Sequence, residues 1–100
     1  MPLVNPVMTG CGMNLMTEPN FATPWLYDWA GAPWRTQDVV RRIVDEAFTT
    51  APGGLPGNDD LGATSSWLVW AMLGMYPEVP GVAGFALGSP VFPKIAIALG

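Results

Sequence analysis

The chain has no histidine, a single cysteine and only four basic side chains in 100 residues. Each shortage removes a class of function. Without His there is no imidazole acid or base and no zinc site of the familiar Cys/His spacing. Cys11 has no second cysteine to pair with and no cationic neighbour in sequence to lower its pKa, so it reads as an inert small side chain. Arg35, Arg41, Arg42 and Lys94 cannot form an extended basic stripe, and a net charge of −4 with a pI near 4.2 argues against nucleic acid as a partner. Long apolar runs are missing too. The longest, Trp67 to Tyr76, is far too short to cross a bilayer, and the opening MPLVNPVMTGCG lacks the basic start and apolar stretch of a signal peptide. Any export signal is expected outside these residues.

What remains is apolar and aromatic. Hydrophobic residues make up 50% of the chain and charged ones 12%, about half the usual charged share, with five Trp among the aromatics. A chain of this length forms one small domain that buries about two-thirds of its unfolded surface. With so few charges it would leave large apolar patches bare if it stood alone, so a part of something larger is expected.

The pattern predicts a mainly α chain with a short C-terminal β tail: three helices at about 24–30, 37–49 and 64–75, then two strands at about 84–87 and 94–99. Residues 1–16, rich in Met, Gly, Pro and Asn, show no periodicity and read as a poorly ordered leader. Pro24 suits the first turn of a short helix that Gly31 and Pro33 end, and Thr36 offers an N-cap to the next. In that second helix Val39, Ile43 and Ala47 share one i, i+4 row and Val40, Val44 and Phe48 another, while Arg41, Arg42, Asp45 and Glu46 take the opposite face. The third helix is apolar nearly all round and should be buried on several sides. Ile95, Ile97 and Leu99 alternate as a strand would. Helical spacing makes core packing the favoured role for most of Trp25, Trp29, Trp34, Trp67 and Trp70, with a sugar-stacking platform as the alternative.

Oxygen chemistry concentrates in Gly54-Leu-Pro-Gly-Asn-Asp-Asp-Leu-Gly62, a glycine- and proline-bounded loop just before the apolar third helix. Asn58, Asp59 and Asp60 there are compatible with metal binding, acid–base work or simple capping of the helix. Adjacent side chains in a turn point apart, so only one of the two aspartates need face a site. The loop lacks the Asp-x-Asp-x-Asp-Gly spacing and terminal Glu of an EF-hand, so a metal site would draw ligands from separate segments.

Several segments together resemble glycoside hydrolase family 92. They are Thr17-Glu-Pro-Asn-Phe21, Pro24-Trp-Leu-Tyr-Asp-Trp-Ala-Gly31, Pro33-Trp-Arg-Thr-Gln37, Gly54 to Gly62, Ser66-Trp67, Leu73-Gly-Met-Tyr-Pro77 and Gly88-Ser-Pro-Val-Phe-Pro-Lys94. The resemblance runs in one unbroken order from Glu18 to Leu99 and does not extend to residues 1–16. It implies a calcium-dependent, inverting exo-alpha-mannosidase that removes terminal alpha-linked mannose (alpha-1,2-mannosidase type) from N-linked-type glycans. The implied fold is an (alpha/alpha)6 toroid beside a β-sandwich domain. Residues 17–100 would be the C-terminal part of the catalytic domain, a partial toroid, with the rest of that domain and the β-sandwich as its partners.

By matching motifs, the resemblance places Asp60 as general base, with Asn58 and Asp59 beside it, and Glu18 and Asp60 at the calcium site. Such an enzyme needs one carboxylate to activate water and a second to protonate the leaving group. The family's general-acid Glu belongs to a part of the barrel upstream of anything in this sequence, so the chain alone is expected to be inactive. Thr17 and Ala63 depart from the family pattern, which has Asn and Gln there. The family implies a secreted, periplasmic or cell-surface location. The competing readings are a non-catalytic remnant and a small calcium- or carbohydrate-binding module.

Overall fold

A computed structural model describes residues 20–100. Its elements are a 3-10 helix at Thr23–Asp28, helix α1 at Pro33–Ala47, helix α2 at Ala63–Leu73, and strands β1 at Met75–Tyr76 and β2 at Ala86–Leu87. Among the described residues the chain is thus mainly helical, with three helices and two short strands, the class the sequence implies. No helix among the described residues is long and apolar enough to cross a membrane.

Local chemistry sets most boundaries. Pro24 opens the 3-10 helix, and the Trp29 N–H closes it on the Leu26 and Tyr27 carbonyls. Proline also opens α1, because Pro33 at the first turn has no N–H to leave orphaned. Thr36 is therefore not the expected N-cap. It lies inside the helix, fully buried, and α1 starts four residues earlier than the predicted 37. At the other end Phe48 turns to an extended conformation (φ −117°, ψ 142°) instead of continuing the helix to 49. Its ring stacks on Trp67 at 6.0 Å and 8°.

Helix α2 lies between two left-handed glycines, Gly62 (φ 92°) and Gly74 (φ 81°), and the Gly74 N–H caps it on Trp70 and Ala71. A β-carbon at Gly74 would lie 2.6 Å from the Pro90 nitrogen. Both the φ and the space therefore demand glycine here. Gly74→Ala is expected to destabilise the chain by more than about 1 kcal/mol, read as a lowered urea midpoint at unchanged slope.

Beyond Gly74 the chain becomes a strand, not the last turn of the helix predicted to 75. Met75 pairs with Leu87 and Tyr76 with Ala86, antiparallel. The expected strand at 84–87 is thus reduced to its last two residues, and its partner is a segment not read as extended. The strand expected at 94–99 does not form: residues 94–100 carry no regular structure, and Ile97 and Leu99 are exposed. Alternation supplies a face but not a neighbour to pair with, and no strand among the described residues takes this segment.

The core joins the 3-10 helix, α1, α2 and β2 through Phe21, Trp25, Val40, Ile43, Phe48, Trp67, Ala71 and Ala86, and Tyr76 of β1 packs against it. Val39, Val44 and Ala47 pack against it, which is the inward face read from α1's periodicity. On the outer face Arg42 pairs with Glu46 one turn on at 3.2 Å. Helix α2 buries only the stripe Thr64, Trp67 and Ala71, and leaves Val69 exposed to solvent. The five tryptophans divide. Trp25 and Trp67 are core, Trp70 is half-buried against Phe85 at 5.3 Å, and Trp29 and Trp34 are more than half exposed.

Candidate functional site

The loop ahead of α2 turns through three consecutive left-handed residues: Asp60 (φ 51°), Leu61 (φ 61°) and Gly62 (φ 92°). Leu61 has no local reason to adopt this conformation, and its side chain is fully exposed, so it repays nothing by burial. Each such non-glycine residue costs on the order of 1–3 kcal/mol, and the surroundings must impose it.

The helix start imposes it. The Thr64 hydroxyl donates to the Asn58 carbonyl at 2.9 Å, and the Thr64 N–H donates to the Asp59 carbonyl at 3.1 Å. The Ala63 N–H donates to the Asp60 carbonyl at 3.3 Å. Burial of Thr64 shields these bonds from water. The Asp59 carboxylate completes the clamp by accepting the Ser65 N–H at 2.9 Å and, closely, the Ser65 hydroxyl. These bonds, with the Ser65 hydroxyl first, hold the Asp59 carboxyl below its ordinary pKa. They favour its charged form at the positive end of a helix.

The two adjacent aspartates therefore have different surroundings. Asp59 is bound to the first turn of α2, whereas the exposed Asp60 carboxylate has no hydrogen-bond or ionic partner among the described residues. Asn58 is exposed and is engaged through its carbonyl. A fixed backbone thus presents one unengaged carboxylate, with an amide two residues before it. Such a group can accept a proton from water or donate oxygen to a hard cation.

Glu18 lies outside the described residues. The last residue of its motif does not. The buried Trp67 indole N–H donates to the Phe21 carbonyl at 2.9 Å, fixing the end of Thr17–Phe21 against the helix that the acidic loop begins. Among the described residues no group of three or more His, Cys, Asp or Glu is placed to hold a metal ion. Asp60 and its neighbours offer the hard oxygen donors that calcium takes, but they do not make a complete site.

Two further carboxylates escaped the sequence reading. Asp28 and Glu78 each bury one carboxylate oxygen without a hydrogen-bond partner among the described residues, and Asp28 lines an open depression of about 320 Å³ with Trp29, Pro33, Phe85, Ala86 and Leu87.

With this geometry in view, the chain matches known proteins over most of its length. A family model described as glycosyl hydrolase family 92 catalytic domain matches residues 7–100, reaching ahead of the Thr17–Phe21 motif. A curated relative from Arthroderma benhamiae (strain ATCC MYA-4681 / CBS 112371), described as an uncharacterized secreted glycosidase, is 35% identical over 80 residues, which is 80% of this chain and 10% of that protein. A solved structure, the family GH92 alpha-mannosidase from Bacteroides thetaiotaomicron, superposes with a TM-score of 0.71 at 37% identity, covering 75% of this chain and 10% of that one. The chain thus spans about a tenth of the length of either relative.

Proposed function

The chain belongs to glycosyl hydrolase family 92, and on that premise we propose that it forms part of the catalytic domain of an alpha-mannosidase in which Asp60 is the general base. The carrying observation is the division between the two aspartates, one bound to helix α2 and one whose carboxylate is unengaged on a turn held by five hydrogen bonds. Asp60 takes the proton of a water molecule as that water attacks the anomeric carbon on the face opposite the leaving group, so the product has inverted configuration. Asn58 lies near enough in sequence to orient the water or a sugar hydroxyl. Asp59 keeps the turn in place.

The second half of the chemistry, protonation of the departing glycosidic oxygen, requires a carboxylic acid supplied by the remainder of a longer enzyme, which also completes the toroid and adds the β-sandwich. Calcium, when bound, would hold the sugar through its hydroxyls. Glu18 and Asp60 would hold it, with further ligands from outside the described residues. Terminal alpha-linked mannose, as found on N-linked-type glycans, is the substrate class this reading assigns.

Half of an acid–base pair forfeits about 10²–10⁴-fold in rate before binding losses are counted. The purified 100-residue chain is therefore expected to release no mannose from an alpha-1,2-linked disaccharide, as measured by chromatography of the free sugar. Release that Asp60→Asn abolishes would instead place a complete site within these residues.

A further inference from the structure

The depression of about 320 Å³ is built where three elements meet. Asp28 ends the 3-10 helix and Trp29 is its C-cap, Pro33 opens α1, and Phe85 leads into β2 at Ala86–Leu87. Its walls are held from behind. The Trp29 N–H donates to the Leu26 and Tyr27 carbonyls, the Phe85 ring leans on Trp70 with centroids 5.3 Å apart, and Ala86 is buried in the core and paired with Tyr76. The hollow is therefore formed before any ligand arrives.

Its lining is aromatic and of one charge. Trp29 is 61% exposed and Phe85 52%, so both rings are open to a ligand. Asp28 is the one charged side chain in the lining, it makes no hydrogen bond or ion pair among the described residues, and its Oδ1 is buried without a donor. A buried acceptor left unsatisfied is costly, so the missing component is a donor. The chain's own bases do not supply it. The one ion pair among the described residues joins Arg42 to Glu46, and Arg41 donates to the Pro90 carbonyl.

We propose that the depression seats an arginine side chain from the remainder of the longer enzyme, its guanidinium donating to Asp28 and lying against the rings of Trp29 and Phe85. This rests on the chain's being part of such an enzyme and not on the role of Asp60. A guanidinium is planar, weakly hydrated and carries five donors, so it can meet a carboxylate and stack on an aromatic face at once. An ammonium is a compact, strongly hydrated charge that stacks less well. A sugar would stack, but its hydroxyls need donors as well as acceptors, and the Trp29 indole N–H is the one side-chain donor in the lining.

Size and charge agree with this occupant. The volume is near the lower end of ligand pockets, about 300–1,000 Å³, which suits the head of one side chain. The chain has a net charge of −4 and spans about a tenth of the length of its relatives, so the complementary cation is to be found in the rest. Bare aromatic rings are what a piece of a larger fold exposes where its neighbour has been taken away.

N-acetylarginine amide is the probe for the full 100-residue chain, with binding followed through the five tryptophan indole N–H resonances. The resonance that disappears in Trp29→Phe is expected to shift saturably at millimolar probe. Asp28→Asn should weaken that binding by about tenfold or more, and Trp29→Ala, at an exposed position, should weaken it without unfolding the chain. Melting temperature identifies the source of the cation. Asp28→Asn should leave the 100-residue chain level, because no partner is lost, and should lower a hybrid in which this chain replaces the matching segment of the Bacteroides thetaiotaomicron alpha-mannosidase, because there the arginine loses its counter-charge. The proposal is overturned if the Trp29 resonance does not move, if methyl alpha-mannoside moves it in place of the arginine compound, if Asp28→Asn leaves the binding unchanged, or if that substitution leaves the hybrid's melting temperature level. A failure of Asp60 as general base would alter none of these readouts.

Discussion

Asp60→Asn is expected to lower turnover by about 10²–10⁴-fold, with little change in KM, when this chain replaces the matching segment of the Bacteroides thetaiotaomicron alpha-mannosidase. The exchange keeps the shape and exposure of the side chain and removes only its capacity to accept a proton. Because the Asp60 side chain makes no hydrogen bond or ion pair among the described residues, the fold loses nothing by the substitution. Steady-state rates and melting temperature measured on the same preparation separate chemistry from folding. Asp59→Ala provides the contrast. It removes both Ser65 bonds from the start of α2, so it should lower the melting temperature and affect turnover only through that loosening. Should Asp59→Asn abolish turnover at unchanged melting temperature while Asp60→Asn remains active, the two roles would have to be exchanged. Raising calcium distinguishes the remaining possibilities for Asp60. A lost metal ligand is partly compensated by mass action, whereas a lost base is not.

Trp67→Ala is expected to cost about 3–5 kcal/mol, a large part of the total stability of a small domain. Trp67 is buried, stacks on Phe48 and donates its indole N–H to the Phe21 carbonyl. Truncation removes the largest side chain of α2's inward stripe and leaves a carbonyl without its donor. Trp67→Phe separates most of the packing from the second effect, because it keeps an aromatic ring against Phe48 and loses the hydrogen bond together with a smaller share of buried volume. About 1–3 kcal/mol is expected for that loss at a buried site. Urea unfolding of the three proteins, compared at equal slope, gives both figures. A loss below about 1 kcal/mol for the alanine variant would mean that Trp67 does not organise this core. The bond to Phe21 also links stability to the proposed site, since it ties the end of the Thr17–Phe21 motif to the helix that carries the acidic loop.

Helix α1 was legible because its apolar rows repeat every 3.6 residues along a stretch long enough to define a face, and that face is the one buried on Trp25 and Trp67. Its start was misplaced because Thr36 and Pro33 both signal an N-terminus, and only the packing of Thr36 into the core decides between them. Helix α2 has no such face in its sequence. Which third of an apolar cylinder is buried depends on where Phe21, Phe48 and α1 lie against it.

The tail shows the same limit more sharply. Ile95, Ile97 and Leu99 alternate and form no strand, while Met75 and Tyr76 do not alternate with anything and form one, because a ladder requires a partner. The acidic loop was legible as a candidate site from its residues and from the motifs around it. Which aspartate is held and which is free was not, because that choice rests on Ser65 reaching back six residues once α2 has formed.

The sequence by itself determined the helical class, the lack of any imidazole and the inward face of α1. Composition and short-range periodicity are sufficient for these. The tertiary structure alone decided the separate surroundings of Asp59 and Asp60, the pairing of Met75–Tyr76 with Ala86–Leu87 and the division of the tryptophans between core and surface. Each of these depends on contacts that exist only once the elements have formed and packed, which no local pattern encodes.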